Sequence, residues 1–154
     1  MIRVLFICHG NICRSPMAEY VFKDVVRKNP KINDDEFYIA SAATSYEEIG
    51  NPVYPMAKAE LAKHGIGCSG HAARKLVKAD FTEFDYLVAM EDYNLRNIRR
   101  EFGQELASQV SLLLDYTDTP GDIDDPWYTR DFGKTYREIK AGCEGLLYHI
   151  EKIK

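Results

Sequence analysis

Long apolar runs are absent from this sequence. The apolar stretch near the amino end covers residues 2–7 and is interrupted by Arg3. A membrane-spanning helix needs about 20 apolar residues, and the core of a signal peptide needs about 7–15. We therefore expect a cytoplasmic protein that has no membrane partner.

Clusters of basic residues and pairs of cysteines are also absent. Lysine and arginine number 20 and aspartate and glutamate 24, which gives a net charge of −4. Because no basic run could follow a phosphate backbone, nucleic acid is not an expected partner. The four cysteines form no Cys-x-x-Cys pair and no zinc spacing, so we expect no metal and reduced thiols. Cys68 and Cys143 are interpreted as packing residues.

The first predicted strand leads directly into a loop that can bind an anion. Residues 2–7 suit a buried strand, and residues 17–25 have the apolar spacing of a helix. Ser15 is a good N-cap, and Pro16 suits the first helical position. The loop between them therefore lies on a helix N-terminus. Unpaired N–H groups and the helix dipole there make a cradle for phosphate or another oxyanion.

Side chains in this loop add chemistry to the cradle. Arg14 can donate two parallel charge-assisted hydrogen bonds to a bound anion. Cys8 follows the strand, and the field that attracts a phosphate also favours the thiolate, which is the nucleophilic form of cysteine. Gly10 and Asn11 tolerate the left-handed backbone that a tight loop needs.

The rest of the chain alternates helices with apolar strands. Further strands are predicted over residues 37–42, 86–90 and 110–114, and a long amphipathic helix over residues 132–150. This order predicts one α/β domain over residues 1–154, with a four-stranded open parallel sheet and helices on both faces. The phosphate-binding loop follows strand 1, at the sheet edge where ligands bind.

Residues 8–19 carry a family resemblance. They read Cys-His-Gly-Asn-Ile-Cys-Arg-Ser-Pro-Met-Ala-Glu, which resembles the signature of the low-molecular-weight protein tyrosine phosphatases. The resemblance implies a phosphatase that hydrolyses protein phosphotyrosine through a thiophosphate intermediate on a cysteine, without a metal or other cofactor. Cys8 and Arg14 would be catalytic. The loop residues implied to bind the phosphate and substrate are Gly10, Asn11, Ile12, Cys13 and Ser15.

A second implied site lies in the acidic connection of residues 115–130. Long loops in compact domains tend to be functional. In the family an Asp-Pro pair followed by aromatic residues carries the general acid, and Asp125 stands at that position, followed by Pro126. A phenolate leaves more easily when it is protonated. Asp125 is therefore the candidate acid, and Trp127 and Tyr128 are candidates to hold the phenyl ring.

Two further residues are implied to support the loop. The resemblance implies that Asn11 adopts a left-handed conformation and is held by Ser41 and His71. The loop amides would then converge before the substrate arrives. His71 is accordingly interpreted as a supporting residue rather than a catalyst.

Two positions near the loop depart from the family pattern. His9 stands where a small or apolar residue is common, and it either tunes the charge at the cavity mouth or points to solvent. Glu47 stands where an aromatic lip is common. Either Tyr46 forms that lip, or the lip is acidic and prefers basic residues beside the phosphotyrosine.

Three other interpretations share the anion cradle. Arsenate reductases relay a disulfide through further cysteines, but only Cys68 lies near such a segment. Protein arginine phosphatases carry threonine at the position of Ile12 and lack the aromatic pair after Asp-Pro. A binding module without catalysis would leave Cys8 and Asp125 without a purpose.

The second cysteine of the loop predicts redox regulation. Peroxide converts a thiolate to a sulfenic acid, and oxidation beyond that step is irreversible. Cys13 lies five residues after Cys8, so a curled loop could bring the two Cβ atoms to the roughly 3.5–4.5 Å of a disulfide. Family members with this second cysteine are regarded as reversibly oxidised. Cys13 is either the resolving thiol or a buried packing residue.

Overall fold

Four parallel strands form the central sheet. The structure, a computed structural model, describes residues 1–153. The strands lie in the order β2-β1-β3-β4, so the first strand of the chain is central, and all three pairings are parallel. Their bounds are β1 Ile2–Cys8, β2 Phe37–Ala43, β3 Tyr86–Ala89 and β4 Val110–Leu112.

Helices cover both faces of the sheet, as the sequence predicts. There are also two 3₁₀ turns, Asp34–Glu36 before β2 and Leu113–Tyr116 after β4. Among residues 1–153, no helix combines the length and apolar composition of a membrane span. The helices are α1 Arg14–Lys28, α2 Pro55–Lys63, α3 Asp80–Glu83, α4 Asp92–Phe102, α5 Gln104–Ala107, α6 Pro126–Thr129 and α7 Phe132–Ile153.

Strand β1 is buried on both sides, which explains its continuous apolar sequence. Side chains alternate along a strand. Val4 and Phe6 therefore pack into the core beneath α1 and α7, whereas Leu5 and Ile7 pack into the core on the opposite face. All four are fully buried. The strand is thus fixed in register, and its last residue, Cys8, is held at the carboxyl edge of the sheet.

Three boundaries differ from the sequence prediction. Helix α1 begins at Arg14, with Cys13 rather than Ser15 at the N-cap. The Ser15 hydroxyl is engaged with other loop atoms, described below, and so is not used as a cap. Strand β4 is shorter than predicted because the chain turns into the 3₁₀ turn at Leu113. The acidic connection of residues 115–130, treated above as one long loop, contains α6.

Candidate active site

The loop between β1 and α1 is fixed to its neighbours by main-chain hydrogen bonds. Thr44 N–H donates to the carbonyl oxygen of Cys8 at 2.9 Å, and Ser45 N–H donates to that of His9 at 3.0 Å. Tyr54 N–H reaches the carbonyl oxygen of Ile12 at 2.9 Å. Because the segment after β2 holds the loop at several points, the N–H groups of the loop are fixed in orientation.

The sulfur of Cys8 is surrounded by hydrogen-bond donors. The N–H groups of Asn11 and Ser15 lie 3.3 and 3.4 Å from it, and the Ser15 hydroxyl lies 2.9 Å away. That hydroxyl oxygen accepts from Asn11 Nδ2 at 2.8 Å, so its own hydrogen is free to point at the sulfur. Three hydrogen-bond donors therefore converge on the sulfur of Cys8.

Asn11 is the centre of the network that shapes the loop. Its φ of 59° is left-handed, as the family resemblance implies. Its Oδ1 accepts from Arg74 N–H at 3.1 Å, and its carbonyl oxygen lies 2.8 Å from His71 Nε2. Because a carbonyl oxygen only accepts, Nε2 carries the hydrogen in this contact. The predicted support by His71 is therefore present in the structure.

Ser41 does not hold Asn11. Its hydroxyl donates instead to Glu19 Oε1 at 2.6 Å. The reason is the register of the sheet, in which Ser41 pairs with Phe6, about two residues or roughly 6.6 Å short of Cys8. The main-chain N–H of Arg74 takes the expected place. This N–H has no signature in the sequence because only the fold brings it to the loop.

Arg14 is buried and surrounded by acceptors. Its Nη1 donates to the carbonyl oxygen of Ile123 at 2.8 Å and forms an ion pair with Glu91, and Nη2 lies 3.4 Å from Asp125 Oδ2. Burial acts to lower the pKa of Arg14, but Cys8, Asp125 and Glu91 outweigh it and raise that pKa. The guanidinium is therefore a fixed positive charge at the base of the site.

Glu91 is a site residue that the sequence interpretation missed. A signal was available, because Glu91 follows β3 by two residues and so lies at the carboxyl edge of a parallel sheet. The acidic connection is fastened at the same edge by Ile123, whose N–H donates to the carbonyl oxygen of Met90 at 2.9 Å. Arg14 thus connects the loop after β1 to the residues after β3 and to the acidic connection, which are distant in sequence.

Helix α6 presents the carboxyl group of Asp125 to the cavity. Asp125 is its N-cap, and Oδ1 accepts from Trp127 N–H at 3.0 Å. Pro126 occupies the first helical position and is buried. Because Oδ1 caps the helix, Oδ2 is directed toward Arg14 at the base of the cavity. The Asp-Pro-aromatic pattern is therefore a helix start and not merely a flexible turn.

These groups surround one cavity of about 670 Å³. Ile12 lies on its wall, where the sequence places it, and Tyr128 is 82 % exposed at the mouth. Glu47 lies on the rim within 3.2 Å of His9 Nε2, whereas Tyr46 is not part of the lining and has Lys75 over its ring. The lip is therefore acidic. The lining residues are Cys8, His9, Gly10, Ile12, Cys13, Arg14, Glu47, Glu48, Glu91, Tyr93, Asp124, Asp125, Trp127, Tyr128 and Thr129.

The four cysteines are unpaired and buried. Cys68 and Cys143 lie in the core beneath α1 and α7, in agreement with the prediction that they are packing residues. Burial, reinforced by the charges of Cys8 and Asp125, raises the pKa of Cys13 to about 12. Cys13 is therefore a protonated thiol at neutral pH.

A protein-family model matches the sequence that forms this site. The model described as low molecular weight phosphotyrosine protein phosphatase matches residues 3–154. The chain belongs to this family. The low molecular weight protein-tyrosine-phosphatase YfkJ of Bacillus subtilis is 40 % identical over 156 residues, which covers all of this chain and 99 % of the relative.

Solved structures of the phosphatase family share the fold. The crystal structure of YfkJ superposes with a TM-score of 0.93 at 39 % identity, covering all of this chain and 97 % of the other. The structure of the Drosophila arginine phosphatase DARP gives a TM-score of 0.83 at 30 % identity, covering 97 % and 98 %. The fold therefore does not separate a tyrosine phosphatase from an arginine phosphatase, and that distinction depends on the cavity wall.

Proposed function

We propose that this protein is a cysteine-dependent phosphatase that hydrolyses phosphotyrosine in proteins. The observation that supports this most strongly is the Cys8 sulfur with three donors around it, in one cavity with Arg14 and Asp125. Membership of the phosphatase family supports the same reaction class.

In the first step the Cys8 thiolate attacks phosphorus in line with the phenolic oxygen. A phosphorus–sulfur bond forms and the phosphorus–oxygen bond breaks. The loop N–H groups and the Arg14 guanidinium hold the equatorial oxygens and neutralise their charge. Asp125 gives its proton to the leaving phenolate.

In the second step water cleaves the thiophosphate. Asp125, now a carboxylate, takes a proton from the water, whose oxygen attacks phosphorus. The phosphorus–sulfur bond breaks, and the Cys8 thiolate returns. The Ser15 hydroxyl, 2.9 Å from the sulfur, stabilises that leaving thiolate. No cofactor is needed, because the nucleophile, acid and anion donors are all protein groups.

The cavity wall favours a phenyl ring over a guanidinium group. Ile12 and Trp127 provide apolar surface where a phosphotyrosine ring would lie. The acidic lip formed by Glu47 and Glu48 favours substrates with basic residues beside the phosphotyrosine. We therefore assign the substrate class as phosphotyrosine proteins with a basic flank.

We also propose that the site is reversibly oxidised and that the protein works in a reducing compartment, the cytoplasm. Four unpaired cysteines support the compartment. Cys8 and Cys13 belong to one loop and line the same cavity, which supports a disulfide that protects the nucleophile.

The central test compares the wild type with Cys8→Ser on an aryl phosphate, a phosphoarginine peptide and arsenate. We expect hydrolysis of the aryl phosphate, little action on the other two, and no measurable turnover by Cys8→Ser. Vanadate or phosphate should still bind Cys8→Ser. Substantial turnover by Cys8→Ser would contradict the proposal, and faster phosphoarginine hydrolysis would reassign the substrate.

A further inference from the structure

Arg130 stands behind the wall of the cavity and connects two of its parts. It follows α6 directly, and its Nη1 donates to the hydroxyl oxygen of Tyr54 at 3.1 Å. Its guanidinium also covers the Trp127 ring, with Cζ 5.4 Å from the ring centroid, a distance at which a cation and an indole attract. Arg130 itself is not part of the cavity lining.

Tyr54 continues this connection to the phosphate loop. Its ring meets the Trp127 ring edge-on with centroids 4.9 Å apart, which is a favourable aromatic geometry. Its N–H donates to the carbonyl oxygen of Ile12. One end of Tyr54 is thus bound to the loop that holds the phosphate, and the other end to the residue that forms the wall.

The wall needs such a connection because α6 is only four residues long. A single helical turn is not stable by itself, so contacts outside the turn must hold it. Within α6, Trp127 N–H bonds Asp125 Oδ1. A displacement of Trp127 would therefore also displace the carboxyl group proposed to donate the proton.

The backbone conformation of Arg130 would suit glycine better than arginine, so the need to end α6 does not explain why an arginine stands here. Its φ of 62° is left-handed, a conformation in which glycine is the ordinary choice after a helix. An arginine there is less favourable for the backbone, whereas its side chain makes the contacts with Tyr54 and Trp127.

We propose that Arg130 is a positioning residue of the phosphatase: it clamps Trp127 against Tyr54 and so holds the aromatic wall and Asp125 over the bound phosphotyrosine. This inference rests on the function proposed above. Arg130 acts through Trp127 and touches neither the substrate nor the phosphate.

The chain offers a direct probe, because Trp127 is its only tryptophan. Acrylamide quenching and fluorescence anisotropy therefore report on the wall without reference to activity. The informative variant is Arg130→Gly, which removes the side chain and leaves the residue best suited to a φ of 62°. Tyr54→Phe removes only the hydroxyl acceptor. Arg27→Ala, at an exposed arginine paired with Asp24 on α1, is the matched control.

If Arg130 is a clamp, Arg130→Gly should make Trp127 more accessible to acrylamide and lower its anisotropy. The KM for a phosphotyrosine peptide should rise roughly five- to ten-fold, which corresponds to the lower end of the combined energies of one cation–π contact and one hydrogen bond. The kcat should depend more steeply on leaving-group pKa. Tyr54→Phe should show a smaller change in the same direction, and Arg27→Ala should match the wild type.

If Arg130 only terminates α6, we expect the opposite result. Arg130→Gly would then keep the quenching, anisotropy and kinetics of the wild type or gain stability, and the clamp would be overturned while the phosphatase remained active. Full activity of Cys8→Ser would instead overturn the proposed function. The two failures are therefore distinguished by separate variants.

Discussion

Two cysteines five positions apart have opposite environments. Cys8 receives three donors on its sulfur. Burial and the negative charges of Cys8 and Asp125 outweigh the charges of Arg14 and Arg130 and raise the pKa of Cys13 to about 12. The same loop thus holds one sulfur contacted by three donors and one buried thiol whose pKa is raised. This contrast explains why only one of them is assigned as the nucleophile.

The contrast also defines a redox prediction. Peroxide should convert the Cys8 thiolate to a sulfenic acid with release of hydroxide. The neutral sulfenic acid no longer carries the Cys8 charge that helps to raise the pKa of Cys13. Cys13 would then lose its proton and attack the Cys8 sulfur, and the departing hydroxide would take up a proton, so that water leaves and a disulfide forms. After peroxide and then dithiothreitol, the wild type should regain most of its activity and Cys13→Ser much less. Cys68→Ser is the control, and equal recovery in Cys13→Ser would assign Cys13 to packing alone.

Asp125 should matter most for substrates that have a poor leaving group. Asp125→Ala removes the proton donor, so we expect kcat for aryl phosphates with a high leaving-group pKa to fall on the order of 10²–10⁴-fold. Activated esters, whose phenolates leave unaided, should be affected much less. The measurement is kcat across a series of substituted phenyl phosphates. A uniform loss across that series would argue against acid catalysis.

Glu47 should set the preference for basic flanks. The residue lies on the rim and is exposed, so its effect is that of a screened charge. Glu47→Gln should reduce the kcat/KM ratio between lysine-flanked and glutamate-flanked phosphopeptides by roughly two- to five-fold, and added salt should erase the difference. Glu83→Gln, an exposed carboxylate on α3, is the control. An unchanged ratio would show that Glu47 does not select substrates.

At the scale of elements, α7 approaches the 3₁₀ turn Leu113–Tyr116 through two glycines. A Cβ at Gly142 would overlap the side chain of Leu113, and one at Gly145 would overlap the carbonyl oxygen of Tyr116. A backbone oxygen cannot rotate away as a side chain can. The close packing of α7 therefore depends on Gly145, although glycine ordinarily weakens a helix.

Gly145→Ala should destabilise the protein despite its better helix propensity. The overlap with a backbone atom should cost about 1–3 kcal/mol, more than the gain from replacing glycine in a helix. Gly133→Ala in the same helix is the control, because its Cβ would meet only side-chain atoms, those of Arg137, Asp131 and Glu60. Urea unfolding measures both. A Gly145→Ala variant as stable as Gly133→Ala would mean that α7 can shift at no cost.

At the scale of the whole molecule, burial of thiols and phenols makes stability depend on alkaline pH. Burial raises the pKa of Cys13 and that of Tyr20 to about 12, and it raises the pKa of Cys143 well above its ordinary value. The folded protein therefore keeps protons that the unfolded chain loses. The stability from these groups is complete below the unfolded values and declines as pH rises from about 9 toward 12.

The free energy of unfolding should accordingly fall above about pH 9. Each proton kept only by the folded state contributes a slope of about 1.4 kcal/mol per pH unit. Cys143→Ala, which removes one fully buried thiol, should lower stability at neutral pH and reduce this slope by about one proton. Urea unfolding from pH 8 to 10.5 with a reductant gives the comparison. If the slope for Cys143→Ala were as steep as that of the wild type, Cys143 would not be one of the groups that keep a proton only in the folded state.

The sequence alone determined the parts of this protein that depend on local order. The alternation of apolar strands with amphipathic helices predicts the parallel sheet, because each pattern has its own period. The strand, loop and helix of residues 2–28 are adjacent in the chain, so Cys8, Asn11 and Arg14 are recognisable as one site. Pro126 after Asp125 likewise indicates the start of α6.

Only the tertiary structure decided which distant groups meet. Ser41 bonds Glu19 and not Asn11 because the register of β2 leaves it short of the loop. The main-chain N–H of Arg74 takes that place, and a main-chain group leaves no pattern in a sequence. Glu91 reaches Arg14 because β3 ends at the same edge of the sheet as β1. Arg130 reaches Tyr54 and the Trp127 ring because its own backbone is left-handed. Contacts between distant segments depend on strand register and loop path, which local periodicity does not specify.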